Sequence, residues 1–561
     1  MTAAKPENGG SPSRNWLVLL IYVELSAGIF GISVLRHPAS AYIGSGPDPT
    51  LMMWSLVWWP HALLHRINPF LTDLIWSPTG FNLAWATTLP ALSLIVSPIT
   101  LAFGPVVSYN LLCILAPALS SWTAYLLCRR ITRAFWPSVV GGYVFGFSSY
   151  EIGHMLSGQL HLASTFIPPI CVYLVLVFVD GQIGRLAFTL LLALSLCTQF
   201  LISTEIFATM TVFGAMAIAL AGLLFPREIR HRLLSAGVCV IGAYALAAVF
   251  LGPYLYYVFA FGVPGAPIFS PETYSLDLLQ AVIPTPVTLV GHRTFETLTA
   301  GFVGNDWENG GYVGIGLILV LVLFGSRFWR QARGKLLLAT LMLIWLASLG
   351  PVLHFAGAAS LPLPWKVALH LPLLNNAMPA RFMMYGFLLL GIIVAIWASD
   401  ERIKPWLRWT LVGLSIFLLL PAPRYVFASA KVDPPAFFAD GLYRTYLSPG
   451  EHVLVIPFGG NGKSMLWQAQ TDMYFRMVGG WTGMAPVEFQ HWPILRTFYF
   501  EAPIPQQGEQ LKLFLAAHRV GKIVVDERSR QPWEGFLSVL GVQPLRIGGV
   551  LLYRPPSSLA Q

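Results

Sequence analysis

The chain has 561 residues, of which 56% are hydrophobic and 11% charged, with a mean hydropathy of +0.66. Soluble domains carry about 25% charged residues, so this composition excludes a soluble enzyme and predicts a polytopic α-helical membrane protein. The net charge of +9 comes from Lys and Arg in short clusters beside apolar runs, a positive-inside pattern that argues against a nucleic-acid partner.

In chain order, residues 1–15 read as a short cytoplasmic tail. The run from Trp16 to Leu35 has no basic region close before it and no small-residue cleavage site, so it predicts a retained membrane helix. Glu24 falls in the middle of this run, where a carboxylate is costly, and is expected to face a cavity or a partner inside the bundle. After it comes Gly44-Ser45-Gly46-Pro47-Asp48-Pro49, and then the aromatic stretch Met52-Met53-Trp54-Ser55-Leu56-Val57-Trp58-Trp59-Pro60-His61. Asp48 has two compatible readings. One is an N-cap ahead of a proline at the first helical position; the other is a general base at the membrane surface, for which a rigid helix start is a suitable support.

The stretch 87–104 is apolar but short and broken by Pro90 and Pro98, so it predicts a second membrane-lying segment rather than a span. The two segments, near 49–65 and 87–104, are joined through the turn signals Asn68-Pro69 and Ser77-Pro78-Thr79-Gly80. Spanning runs fall near 16–35, 106–128, 134–150, 160–180, 184–202, 203–224, 233–258, 311–326, 335–353, 379–398 and 406–422, which makes about 11. With the N-terminus inside, all the basic clusters share the cytoplasmic side: Arg129-Arg130 with Arg133, Arg227 with Arg230 and Arg232, Arg327 with Arg330, Arg333 and Lys335, and Arg402 with Lys404 and Arg408. Residues 36–105, 259–310, 354–378 and everything past about 423 are then outside. The expected division is a membrane domain over 16–429, carrying the outer loop 36–105, and a separate outer domain over 430–561.

Several polar groups gather on that outer side. Glu205 sits at the turn between two spans, and Tyr150-Glu151-Ile152-Gly153-His154 with Gln159-Leu160-His161 supplies acid and base groups. Gly304-Asn305-Asp306-Trp307-Glu308-Asn309 combines carboxylates, amides and an indole, a mixture suited to sugars and equally to a polar turn. Lys366 and His370 precede Met378-Pro379-Ala380-Arg381-Phe382, and a guanidinium at the outer mouth of a helix suits a phosphate. The five cysteines, Cys113, Cys128, Cys171, Cys197 and Cys239, lie in apolar runs without ligand spacing, and no metal or other cofactor is indicated.

From about 430 the composition changes. His452 to Ile456, Lys522 to Asp526 and Val550 to Tyr553 predict strands, and Gly508 to His518 a helix, which together predict a small α/β domain. Pro457-Phe458-Gly459-Gly460-Asn461-Gly462-Lys463-Ser464 ends like a phosphate-cradling P-loop but has Pro457 where the motif needs glycine, so nucleotide binding is not expected.

The first helix, the long outer loop with two membrane-lying segments, Asp48 at the start of the first of them, the Ser108-Tyr109-Asn110-Leu111-Leu112 junction into the next span and the C-terminal outer domain together resemble the GT-C glycosyltransferases of bacterial inner membranes. Met378 to Phe382 is also similar to the YfhO-like membrane proteins. The resemblance implies a multi-pass inner-membrane enzyme that moves a sugar from a polyprenyl-phosphate donor to a lipid or glycan acceptor in the cell envelope. Asp48 would be the base, and Arg381 with Lys366 or His370 would hold the phosphate. Glu205, His154, His161, Asp306 and Glu308 are further candidates for substrate contact. Pro49 stands where some of these enzymes have a second acid, which gives metal dependence no support. A transporter or flippase, or a non-catalytic envelope-assembly protein, is the alternative reading.

Overall fold

The computed structural model describes residues 12–262, 270–291, 294–371, 374–426 and 429–556; most of the expected N-terminal tail lies outside them. The protein is mainly helical, and its chain forms two compact units. The first gathers Met1–Leu35, Leu111–Phe250 and Phe269–Ala428, and the second gathers Arg36–Asn110, Leu251–Ile268 and Ser429–Gln561. The composition change near 430 therefore coincides with a unit boundary. The first outer loop groups with the C-terminal region.

In the first unit, each of the 11 apolar runs is helical over most of its length. Among the described residues, seven helices are long and apolar enough to cross a membrane: Ser13–Leu35, Pro105–Thr132, Leu160–Val179, Arg185–Ile202, Thr204–Leu224, Arg227–Phe250 and Pro379–Ala398. The other four runs give shorter helices, Phe135–Gly146, Gly314–Phe328, Ala332–Ser348 and Pro405–Leu418, of 12, 15, 17 and 14 residues. At 1.5 Å per residue these measure about 18–26 Å, which a bilayer accommodates by local thinning or snorkelling.

The helix Met383–Ala398 is apolar all round and is buried on nearly every side, the behaviour of a central bundle helix. It crosses Phe135–Gly146 at a pair of glycines. A Cβ on Gly141 would sit 2.7 Å from the Gly391 carbonyl, and one on Gly391 would sit 2.5 Å from that of Gly141, so the two backbones touch where only glycine fits. Leu186, Leu194, Leu223, Val238, Ile241 and Val249 face outward, as lipid-facing residues do.

Several polar contacts join loops of this unit to one another. Arg130 pairs with Asp180 at 2.7 Å, Arg232 donates to the Val179 carbonyl at 2.9 Å, and Arg327 pairs with Asp400 at 2.5 Å. Each joins connections that the parity places on one face. Arg402 and Arg327 hydrogen-bond Asp400 and hold its carboxyl at about 2.

The second unit is built on a five-stranded sheet. His452–Ile456 lies parallel to both Arg476–Met477 and Lys522–Asp526; Val550–Tyr553 runs antiparallel to Lys522–Asp526, with Leu545–Ile547 outside it. All three predicted strands and the helix Gln507–Ala517 are present. The edge at Arg476–Met477 is covered by the first outer loop: Met477 N–H donates to the Leu74 carbonyl, Ser77 N–H to Met477 and Trp76 N–H to Gly479, at 2.7–2.9 Å. Covering an edge this way satisfies main-chain groups that would otherwise invite another strand. The segment 87–104 is two short helices, Pro90–Ile95 and Ser97–Phe103, broken at Val96. Leu94, Ile95, Leu101 and Phe103 are exposed on them.

Candidate functional site

Asp48 opens the 17-residue helix Asp48–Leu64. The cap reading is not met: the residue before the helix is Pro47, no side chain caps the end, and the Thr50 and Leu51 N–H groups donate to the Pro47 carbonyl. Asp48 is instead the first helical residue, where a carboxylate is favoured by the positive end of the helix dipole. It is half-buried, and its Oδ1 accepts a hydrogen bond from Trp481 Nε1 at 3.1 Å. Trp481 packs over a glycine, since a Cβ on Gly460 would lie 2.8 Å from the indole and 2.9 Å from Pro47.

The helix is held along its length. Trp54 Nε1 donates to Gln468 Oε1 at 2.7 Å, and Gln468 Nε2 donates to the carbonyls of Leu74 and Phe475 at 2.7 and 2.8 Å. Gln468 is fully buried, so this clasp is a satisfied polar network inside the core. Trp54 stacks on Trp58 with ring centroids 5.4 Å apart, and Trp58 donates to the Pro69 carbonyl. The expectation that 49–65 lies on the membrane is modified, because twelve of its residues are buried. The loop leading into Asp48 is pinned by Asn110, which accepts from the Ile43 N–H and donates to the Ala41 and Pro38 carbonyls at 2.7–3.1 Å.

A second constellation is buried in the other unit. Arg381 donates from Nε and Nη2 to Glu308 at 2.9 and 2.5 Å, and from Nη1 to Glu205 at 2.5 Å. Glu308 is extended by Gln159, which donates to it at 3.2 Å and receives a bond from His154 at 2.6 Å. With the amide donating to Glu308, the Gln159 oxygen is the acceptor and His154 carries its proton on Nδ1. Burial disfavours charge on Glu308, yet the Arg381 charge and hydrogen bonds outweigh it and hold the carboxyl at about 2. For His154, burial prevails and lowers it to about 4. Glu151 is buried and has no ion pair among the described residues; burial raises its carboxyl well above the carboxylate range, opposed in part by Thr165. One Arg against two Glu gives this cluster a net charge of 1 − 2 = −1.

The remaining candidates are more dispersed. His161 is half-buried, and its Nδ1 has no hydrogen-bond partner among the described residues; Asp306 is half-buried, with burial raising its carboxyl against the pull of Arg424. Lys366 and His370 are exposed, and their side chains make no hydrogen bond or ion pair among the described residues. Lys463, from the P-loop-like segment, donates to Asp433 at 2.6 Å and to the Lys431 carbonyl at 2.7 Å. Among the described residues there is no group of three or more His, Cys, Asp or Glu side chains arranged to hold a metal ion. Trp481 and Gln468 carry no signal in the sequence, because their partners lie 433 and 414 positions away; Gln159 is visible only as part of the stretch that holds His161.

A family model described as a domain of unknown function, DUF6311, matches residues 19–421. The chain belongs to the DUF6311 family. No curated protein matches it by sequence. Among solved structures, this DUF6311 chain is similar to the Archaeoglobus fulgidus oligosaccharyltransferase tethered to an acceptor peptide, with a TM-score of 0.52 and 11% identity over 95% of this chain and 71% of that one. It is also similar to the mycobacterial arabinofuranosyltransferase AftD, with a TM-score of 0.56 and 13% identity over 97% of this chain and 40% of that one. The DUF6311 chain thus has the fold of the GT-C membrane glycosyltransferases and is a multi-pass membrane protein.

Proposed function

We propose that the protein is a membrane glycosyltransferase that moves a sugar from a polyprenyl-phosphate donor to a lipid or glycan acceptor on the non-cytoplasmic face of a bacterial inner membrane. The observation that carries this reading is Asp48, a half-buried carboxylate at the first position of a clamped helix in a GT-C fold, with one oxygen held by an indole. A neighbour of similar fold, archaeal AglB, has been solved with a dolichol-phosphate. In the proposed reaction the acceptor O–H bond breaks as its oxygen attacks the sugar's anomeric carbon. The proton passes to the Asp48 carboxylate, the C–O bond to phosphate breaks, and the polyprenyl phosphate leaves with the electron pair. The Trp481 bond fixes the orientation of that carboxylate through Oδ1.

In the same reading Arg381 contacts phosphate through the two of its five N–H donors that the carboxylates do not use, and Lys366 and His370 are loop cations on the segment before it. His154, His161, Glu205, Glu308 and Asp306 are polar groups of the same outer connections. The test is to incubate protein reconstituted in bilayers with a membrane extract of lipid-linked sugars and to follow free polyprenyl phosphate by mass spectrometry, together with the envelope glycan inventory of cells lacking the protein. Release of the lipid phosphate and a missing glycan are expected. An unchanged inventory with no release overturns the proposal, and altered uptake or export beside it points to transport.

A further inference from the structure

The helix Ser13–Leu35 has two faces that its composition conceals. Val18, Tyr22, Ser26, Phe30 and Val34 are buried at a spacing of four, with Tyr22 donating to the Val139 carbonyl at 2.6 Å. Leu17, Ile21, Glu24, Gly28, Ile32 and Leu35 form the opposite stripe and are exposed. Glu24 is 11 residues from each end of this span, about 16 Å along the axis in each direction, which places it at mid-bilayer. It is expected to turn inward; instead it faces outward, and its carboxylate makes no hydrogen bond or ion pair among the described residues. A carboxylate in hydrocarbon is costly, and acids in membrane spans pair with cations or face water.

The surroundings favour one kind of occupant. Four residues on from Glu24, Gly28 has open space where a Cβ would stand, so a neighbouring backbone can come close at that point. The π-helical turn Ala27–Gly31 is a local irregularity of the kind often found at functional positions. Otherwise the stripe is aliphatic, so the seam offers apolar packing with a single negative charge at its centre. A second copy of the same stripe around a two-fold axis would set acid against acid. A membrane helix with a lysine or arginine at mid-depth matches the charge.

We infer that the outward stripe of Ser13–Leu35 is the docking face for a membrane-spanning helix of another protein, held by an ion pair between Glu24 and a lysine or arginine at mid-bilayer. The pair sets the register, and Gly28 admits the partner backbone.

The full-length protein, fluorescently labelled and reconstituted in phosphatidylcholine vesicles, would be titrated with a synthetic leucine-rich membrane-spanning peptide bearing one central lysine and an acceptor dye, and with its all-leucine counterpart. Energy transfer at least about fivefold stronger with the lysine peptide is expected, falling to the all-leucine level in Glu24→Leu and reduced in Gly28→Leu, which keeps the charge but blocks the approach. Glu24 is exposed, so Glu24→Leu leaves the core packing intact, and an unchanged melting temperature verifies this. Equal transfer from both peptides, or lysine-peptide binding that survives Glu24→Leu, overturns the inference. Transfer between labelled copies of the chain that disappears in Glu24→Leu, without any preference for the lysine peptide, assigns the face to a second copy and overturns it as well.

Discussion

In one unit Arg381 is enclosed by Glu205 and Glu308, and a further amide and histidine hold the second of these; in the other, the Asp48 carboxylate accepts from a neutral indole 433 positions away. The first arrangement sets one buried cation between two carboxylates and ties together separate connections of the bundle. The second orients a carboxylate through an uncharged donor. A base that must accept a proton is better served by a donor of that kind than by a guanidinium, since a strong cationic partner would depress its basicity.

The greatest contrast is expected from Asp48→Asn. It should lower transfer by about 10²–10⁴-fold while shifting stability by less than about 0.5 kcal/mol, read as polyprenyl phosphate release beside thermal unfolding; a variant with full rate removes the base. Arg381→Ala acts first on stability. It strands two carboxylates and should cost about 3–5 kcal/mol, seen as a lower melting temperature or loss of folded protein.

The pH dependence follows from the same cluster. His154 is lowered from 6.5 to about 4, so the unfolded chain binds its proton first, and the stability due to this residue is complete above about 6.5 and lost as pH falls towards 4. Glu308, lowered from 4.5 to about 2, adds a second loss between those values. Unfolding at a series of pH values should show a decline on the order of 1–3 kcal/mol over the first window, absent in His154→Gln.

A smaller effect separates the two acids. Glu205 is the more exposed partner of Arg381, with 23% side-chain exposure against 5% for Glu308, so Glu205→Gln brings the net charge from −1 to 0 at modest cost. If Arg381 binds the donor's phosphate, the donor KM should fall several-fold; an unchanged KM leaves Arg381 a purely structural residue. Smallest is Trp481→Phe, which keeps the ring but deletes the N–H and should slow transfer about fivefold, equivalent to about 1 kcal/mol.

Much of the architecture is legible in the sequence, because membrane helices and buried strands are written locally: the apolar runs all appear as helices, and the strands at His452, Lys522 and Val550 fall where expected. Arg381, Glu205 and Glu308 are each visible as polar groups at the ends of apolar runs or between them, but nothing local shows that they meet. The clasp of Gln468 on Trp54, and so the joining of the first outer loop to the C-terminal region, leaves no periodic trace. The outward face of Glu24 is hidden for a different reason. A helix that is apolar nearly all round carries no polar stripe to reveal which side is packed.

The Trp54–Gln468 bond has a consequence for biogenesis. Its two halves are made 414 residues apart, so at about 5–20 residues per second the Asp48 helix waits roughly 20–80 s on the ribosome's schedule for its clasp. A truncated or stalled chain can insert most of its membrane helices and still lack a fixed carboxylate. The helix thereby gains its clasp only on the arrival of the last quarter of the polypeptide.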